Sequence, residues 1–301
     1  MNPVLLRLYP AGFRRAFGDE IAESYREATA GAGPRDRLRE AADVVAHALR
    51  LRLGIGSAHA GGGLMAAAAP FALAATAAYA AFNLNGSAGD WYVMRGVGAV
   101  ADAAPLLTLM NAGYLLTLLG AVVALAGRYV PGVLAATAGA VVGSVSFLHP
   151  VWPSPDEVSG QFVGFLLAPV VVAALPLACP PDLRPARRAR GAAGVVALAV
   201  WAVLLVAALV VIDPLGIGLR VPWRFGVPIV AALVLAGRPA FAAIRTTGQL
   251  AAAATPFIAI LYFSGWVRTD ELLTLIGALA VTAVVLRLRR RTGDVDRINT
   301  A

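Results

Sequence analysis

Residues 104–148 read APLLTLMNAGYLLTLLGAVVALAGRYVPGVLAATAGAVVGSVSFL, and this stretch decides the fold because it is apolar almost throughout. Arg128 is its one charged residue, and it separates two apolar segments, 104–126 and 129–148. A helix needs roughly 20 mostly apolar residues to cross the hydrocarbon core of a bilayer. Both segments are long enough, and the very short loop at 127–130 predicts that they form a tight hairpin of membrane spans.

Apolar segments of this kind recur along most of the chain, and the composition agrees with them. Hydrophobic residues make up 59% of the 301 residues and charged residues only 14%, whereas about a quarter of a soluble domain is charged. We therefore predict an all-α, polytopic membrane helix bundle at 64–291, preceded by a cytoplasmic helical head with its linker at 1–63 and followed by a tail at 292–301. The bundle is predicted to have about eight spans, at 64–83, 104–126, 129–148, 158–178, 191–212, 225–244, 249–266 and 271–287.

The positions of the arginines predict the orientation of the bundle. All 25 basic residues are arginine, which is typical of a GC-rich, actinobacterial genome, and most of them lie in alternate loops and in the tail. Cytoplasmic loops carry the excess of basic residues in membrane proteins. We therefore expect a multi-pass protein of the cell inner (cytoplasmic) membrane with both termini cytoplasmic. Topology also accounts for the net charge of +8, so the lipid bilayer is the expected partner and no nucleic acid is expected.

The first 53 residues are charged and amphipathic, unlike the rest of the chain. An aromatic and aliphatic stripe recurs every four residues, which places it on one face of a helix; it consists of Tyr9, Phe13, Phe17, Ile21 and Tyr25. The run Gly31-Ala-Gly-Pro34 predicts a turn. A second helix is predicted over 35–53, with an apolar stripe of Leu38, Ala42, Val45, Leu49 and Leu53. The two stripes can cover each other, the membrane surface or a partner protein, and the first stripe is the candidate docking face.

Short motifs in the same region resemble the permease-prefix module, which precedes the membrane spans of some ABC-type permease relatives. They are Leu8-Tyr-Pro10, Phe13-Arg-Arg15, Gly18-Asp-Glu20 with Glu23, Arg39-Glu-Ala-Ala-Asp43 and Leu49-Arg-Leu-Arg-Leu53. Similar heads occur on stand-alone actinobacterial membrane proteins, often encoded beside a PadR-like regulator. The resemblance covers residues 5–53 and brings no catalytic residues. The large periplasmic domain of those permeases has no counterpart here, so export by their mechanism is not implied.

Glycines predict where helices approach one another, and they also predict a joint. Gly139 with Gly143, and Gly160 with Gly164, are small-xxx-small pairs that allow close contact between helix backbones. The alanine-rich span at 64–83 is weakly hydrophobic and is expected to pack inside the bundle. His59 and the glycines at 61–63 are expected to form a flexible joint. The segments 84–103, 149–157 and 213–224 are predicted to be capped loops, with a shallow pocket for a cationic or lipid ligand as the alternative.

The sequence contains no motif that is typical of a catalytic, metal-binding or phosphate-binding site. The central parts of the predicted spans contain almost no ionisable residue, a single cysteine (Cys179) excludes a cysteine metal cluster, and a chain without lysine has no phosphate-binding P-loop. We therefore expect no enzyme activity, no cofactor and no metal. The leading hypothesis is a non-enzymatic accessory or sensor-like component whose head docks a cytoplasmic or membrane protein partner. The alternative is a permease-like transporter of a small molecule or lipid.

Overall fold

A computed structural model describes residues 3–96, 100–148, 159–184, 240–241 and 244–265, together with residues 273, 276–277, 280–281 and 284. Regular structure in these residues is helical, without a strand, as the sequence predicts. The α-helices are α1 Pro3–Arg7, α2 Ala11–Thr29, α3 Pro34–Arg52, α4 Ala60–Gly96, α5 Val100–Leu125, α6 Tyr129–Ser146, α7 Gly160–Ala174 and α8 Thr247–Phe263. Two short 3₁₀ helices follow α7, at Leu175–Ala178 and Pro181–Leu183.

Four helical segments are long and apolar enough to cross a membrane, which makes this a membrane protein. They are Ala60–Leu84, Pro105–Leu125, Tyr129–Ser146 and Gly160–Ala178, with α8 as a shorter apolar helix. These four segments coincide in sequence with the first four predicted spans, and α8 coincides with most of the seventh. The predicted span 191–212 lies outside the described residues, and so do most residues of the predicted spans 225–244 and 271–287.

The connections on both sides of the first span are more helical than predicted. The glycines at 61–63 belong to the first turn of α4 and are not a separate joint. A Cβ on Gly61 would lie 2.5 Å from the Gly54 carbonyl oxygen, so the missing side chain lets the turn and the helix touch. At its other end α4 continues to Gly96, and α5 begins at Val100, so the loop prediction is wrong for residues 84–96 and 100–103. Extending an existing helix adds a hydrogen bond for each residue fixed, and residues 84–96 contain no proline to stop it.

The structure divides into two compact units, Met1–Ala66 with Ala178–Arg184, and the remainder of the chain. In the first unit Arg52, at the end of α3, holds α1 in place. Its side chain donates hydrogen bonds to the carbonyl oxygens of Arg7, at 2.9 Å, and of Leu8. The last carbonyl groups of a helix have no partner within that helix, so a cation there satisfies them and favours the negative end of the helix dipole.

In the second unit α5 and α6 pack against each other through small residues. The contact surface of α5 contains Gly113, Thr117, Gly120 and Ala124, and that of α6 contains Gly132, Ala136, Gly139 and Gly143. A Cβ on Gly139 would lie 2.5 Å from the Thr117 amide nitrogen and 2.6 Å from the Gly113 carbonyl oxygen. Larger side chains at such positions would push the two backbones apart. Van der Waals contact between close backbones is the main attraction available to helices in lipid.

The burial of side chains shows which parts of α4, α5, α6 and α7 face the interior of the bundle. The alanine-rich segment Ala67–Ala81 of α4 is almost completely buried, which confirms that this span packs inside. Large aliphatic side chains on α5, α6 and α7 are exposed instead, among them Leu109, Leu116, Leu119, Leu134, Val145, Leu167 and Val171. Exposed leucine and valine side chains on membrane-spanning helices suit contact with lipid tails.

We predict that Gly139→Ala destabilises the bundle, whereas Gly160→Ala does not. The new methyl group at position 139 would overlap backbone atoms of α5, and overpacking of this kind costs about 1–3 kcal/mol. No atom lies within 4 Å of the Cβ position of Gly160, so its variant should stay within about 0.5 kcal/mol of the parent. Thermal unfolding in one detergent measures both variants. Equal melting temperatures would contradict close packing at Gly139.

Candidate docking groove in the head

The predicted docking stripe lies along α2 and the residue that precedes its N-terminal cap. Tyr9 is buried, with 2% of its surface exposed, whereas Phe17 is 45% exposed. Phe13, Ile21 and Tyr25 have intermediate exposure. The stripe therefore has a buried end at Tyr9, and its remaining side chains are partly or largely open to solvent.

Three of these aromatic rings pack in sequence along the stripe. The Tyr9 and Phe13 ring centroids are 5.6 Å apart with the planes 14° from parallel, and those of Phe13 and Phe17 are 4.9 Å apart. The imidazole of His47, on α3, approaches Tyr9 and Phe13 edge-on, with centroid distances of 5.6 and 6.0 Å. Such contacts add to the stabilisation from burial alone, so they help to hold this end of the groove together.

A groove of about 460 Å³ runs between α2 and α3. The groove is lined by Tyr9, just before the N-cap of α2, by the four other stripe residues with Glu20, Ser24 and Ala28 of α2, and by Glu40, Val44 and His47 of α3. The walls are thus aromatic and aliphatic, and Glu20 and Glu40 are the charged residues of the lining. A small, mostly apolar concavity with a few polar groups has the usual character of a recognition site.

A hydrogen bond joins the two helices at the closed end of the groove. The Tyr9 hydroxyl and His47 Nδ1 are 3.1 Å apart, and the hydroxyl donates when His47 is neutral with Nδ1 unprotonated. Desolvation and the nearby charge of Arg50 lower the pKa of His47 below its ordinary value. Burial raises the pKa of Tyr9, and Arg50 partly offsets that shift. Both groups are therefore held in their neutral forms around neutral pH.

The face of α3 that meets α2 is not the apolar stripe identified in the sequence. Glu40, Val44 and His47 line the groove, while Leu38 and Leu53 of the stripe are exposed. The missed signal is a second set of positions with the same helical spacing, three and four residues apart, from Glu40 through Val44 to His47. It contains a glutamate and a histidine, so a search for apolar periodicity passes over it.

The predicted glycine contacts lie elsewhere, in the membrane-spanning unit. Gly139 faces α5 closely, and Gly143 is next to Tyr114, with its Cβ position 3.4 Å from the ring. Gly164 packs against the Phe263 ring of α8, which occupies the space that a side chain would need. Gly160 has open space around it. Gly139 and Gly143 therefore face α5, Gly164 faces α8 and Gly160 faces no other helix among the described residues, so the four glycines do not form one surface.

No protein-family model, no curated protein and no solved structure matches this chain.

We predict that His47 titrates below pH 6.5, its ordinary pKa, and that Arg50→Gln raises its pKa. The stabilisation that the neutral ring contributes is present above pH 6.5 and is lost as the pH falls through the lowered pKa. Acidification should therefore loosen the contact between α2 and α3. Histidine-labelled NMR of the whole chain, assigned with His47→Gln, measures the pKa. Arg39→Gln is the matched control and should leave it unchanged; an equal shift from both variants would contradict the assignment to Arg50.

Proposed function

We propose that this chain is a non-enzymatic, accessory or sensor-like component of the cytoplasmic membrane, and that its head docks a partner protein in the groove between α2 and α3. The bundle would have about eight spans with both termini in the cytoplasm. The head would be a module of the permease-prefix type. The observation that carries this proposal is the groove itself, an aromatic concavity on the charged, amphipathic part of the chain.

The lining of the groove indicates which partner would fit. Partly exposed Phe13, Ile21 and Tyr25 would contact apolar side chains, as in grooves that receive an amphipathic helix. Glu20 and Glu40 would attract arginine or lysine. The favoured partner is therefore an amphipathic helix that combines a row of apolar residues with at least one basic residue.

The polar groups of the groove support a binding role in preference to catalysis. Tyr9 and His47 are the pair of lining side chains joined by a hydrogen bond within the described residues. Ser24 also lines the groove, but no hydrogen bond joins it to His47 in that part of the structure. A serine nucleophile needs a base within hydrogen-bond reach, and this arrangement lacks one. His47 instead orients Tyr9 at the end of the aromatic row.

We predict that a photo-crosslinking residue in place of Ile21 captures the partner in cells that express the whole chain. The same residue in place of Glu23, an exposed position of α2 outside the groove lining, is the control and should capture little. Mass spectrometry of the adduct should place the crosslink in an amphipathic helix that carries arginine or lysine. Equal capture from both positions, or none from position 21, would contradict docking in the groove.

A second pair of variants tests the charge complementarity. Glu20→Gln with Glu40→Gln should reduce capture from position 21. Glu23→Gln with Glu27→Gln removes the same charge from α2 residues outside the groove lining and should not. An equal loss from both pairs would point to the overall charge of the head, and not to the groove, as the source of binding.

The transporter alternative has one observation in its favour, a few buried or partly buried polar side chains on α4 and α5. The Ser87 hydroxyl on α4 is hydrogen-bonded to the Asn111 side-chain oxygen on α5. Thr76 is also buried, and its hydroxyl has no hydrogen-bond partner among the described residues. Polar groups within a bundle can line a substrate path. Absence of any crosslink from position 21 would favour this alternative.

A further inference from the structure

The outer face of α3 carries a row of leucines that the protein leaves uncovered. Leu38, Leu49 and Leu53 are 72%, 48% and 67% exposed. Leu38 and Leu49 are three helical turns apart on one side of α3, and Leu53 follows one turn later, just past the end of the helix. We call these three residues the outer stripe. Ala42 is exposed and Val45 partly exposed between Leu38 and Leu49 on the same side, and a continuous apolar face on a helix surface indicates a site of contact.

The outer stripe lies on the opposite side of α3 from the docking groove. At 100° per residue, Glu40 and His47 project away from the direction of Leu38 and Leu49, and both of them line the groove. The groove and the outer stripe are therefore separate faces of α3.

Arginines border the outer stripe along the helix. Arg35 and Arg39 are exposed beside it, whereas Arg50 projects further round the helix toward His47. The acidic residues Asp36, Glu40 and Asp43 project further round the helix, toward or beside the groove. Apolar residues flanked by arginine are typical of helices that lie in the headgroup region of a membrane, where each basic side chain near an anionic surface contributes about 1 kcal/mol.

A short and ordered connection keeps α3 at the start of the first candidate span. α3 ends at Arg52 and the span begins at Ala60. The turn between them has internal hydrogen bonds from the Ile55 amide to the Arg50 carbonyl and from the His59 amide to the Gly56 carbonyl, each 2.9 Å. Together with the close contact between Gly61 and Gly54, these bonds keep the connection compact. Such tethering gives α3 a high effective concentration at the membrane surface.

We propose that the outer stripe inserts into the headgroup region of the bilayer, and that Arg35 and Arg39 bind anionic phospholipid phosphates beside it. α3 then lies on the membrane, and the docking groove opens on the side of α3 away from it. This inference does not depend on what occupies the groove. It assigns the membrane surface as the partner of a face that the proposed function leaves unused.

The test uses the whole chain in nanodiscs, with a nitroxide label at one introduced cysteine. Leu49→Cys reports on the outer stripe, and Asp43→Cys, on the same helix but off the stripe, is the control. Cys179 is buried, so the unsubstituted chain shows the background labelling. At each position, the frequency of label collisions with oxygen, which concentrates in lipid, is compared with that of collisions with a water-soluble nickel chelate. The comparison is made in nanodiscs that contain phosphatidylglycerol and in nanodiscs of phosphatidylcholine alone. Elution as a single species in size-exclusion chromatography confirms that each variant is folded.

In phosphatidylglycerol nanodiscs, oxygen collisions should exceed nickel collisions at position 49, and the order should be reversed at position 43. The excess at position 49 should shrink in phosphatidylcholine and after Arg35→Glu with Arg39→Glu. Equal accessibility at the two positions in phosphatidylglycerol would overturn the proposal. Protection of position 49 from both reagents would also overturn it, because a protein surface, including a second copy of this chain, would then cover the stripe. An equal excess of oxygen collisions over nickel collisions at position 49 in both lipids would refute phosphate binding by the arginines.

Discussion

The structure depends above all on the requirement that backbone amide and carbonyl groups be hydrogen-bonded where water is absent. The segments apolar enough to enter the bilayer are helical, so each satisfies its own backbone. The hydrophobic effect contributes little to helix association in lipid. Close approach must replace it, and Gly113, Gly120, Gly132 and Gly139 provide that approach between α5 and α6. The leucines and valines on the outside of these helices are then free to contact lipid.

In the head, by contrast, hydrogen bonds from polar side chains hold the helices together. Arg52 binds the end of α1, and the Tyr9–His47 hydrogen bond connects the start of α2 to α3. These contacts leave a groove on one side of α3 and an apolar stripe on the other. The head thereby presents two separate faces, and we propose that one binds a basic amphipathic helix and the other an anionic membrane.

Local signals in the sequence predicted the positions of most described helices. Gly31 adopts a positive φ of 73° in the predicted turn, and Pro34 begins α3. The identity of the contacting partners was not predictable, because periodicity defines a helical face without saying what covers it. Gly164 meets Phe263, almost a hundred residues further along the chain, and α2 meets the Glu40–His47 side of α3 and not its leucines. The extension of α4 beyond residue 84 was also missed, since glycine and asparagine weaken a helix without ending it.

We propose that the head lies on the cytoplasmic side of the membrane. Labelling of single introduced cysteines in intact cells tests it most directly, with Asp156→Cys and Arg188→Cys as the two reporters and the unsubstituted chain, whose Cys179 is buried, as the control. A membrane-impermeant maleimide should label position 156 in intact cells and position 188 only after the membrane is permeabilised. Labelling of position 188 in intact cells, with protection of position 156, would contradict the proposed topology and place the head outside.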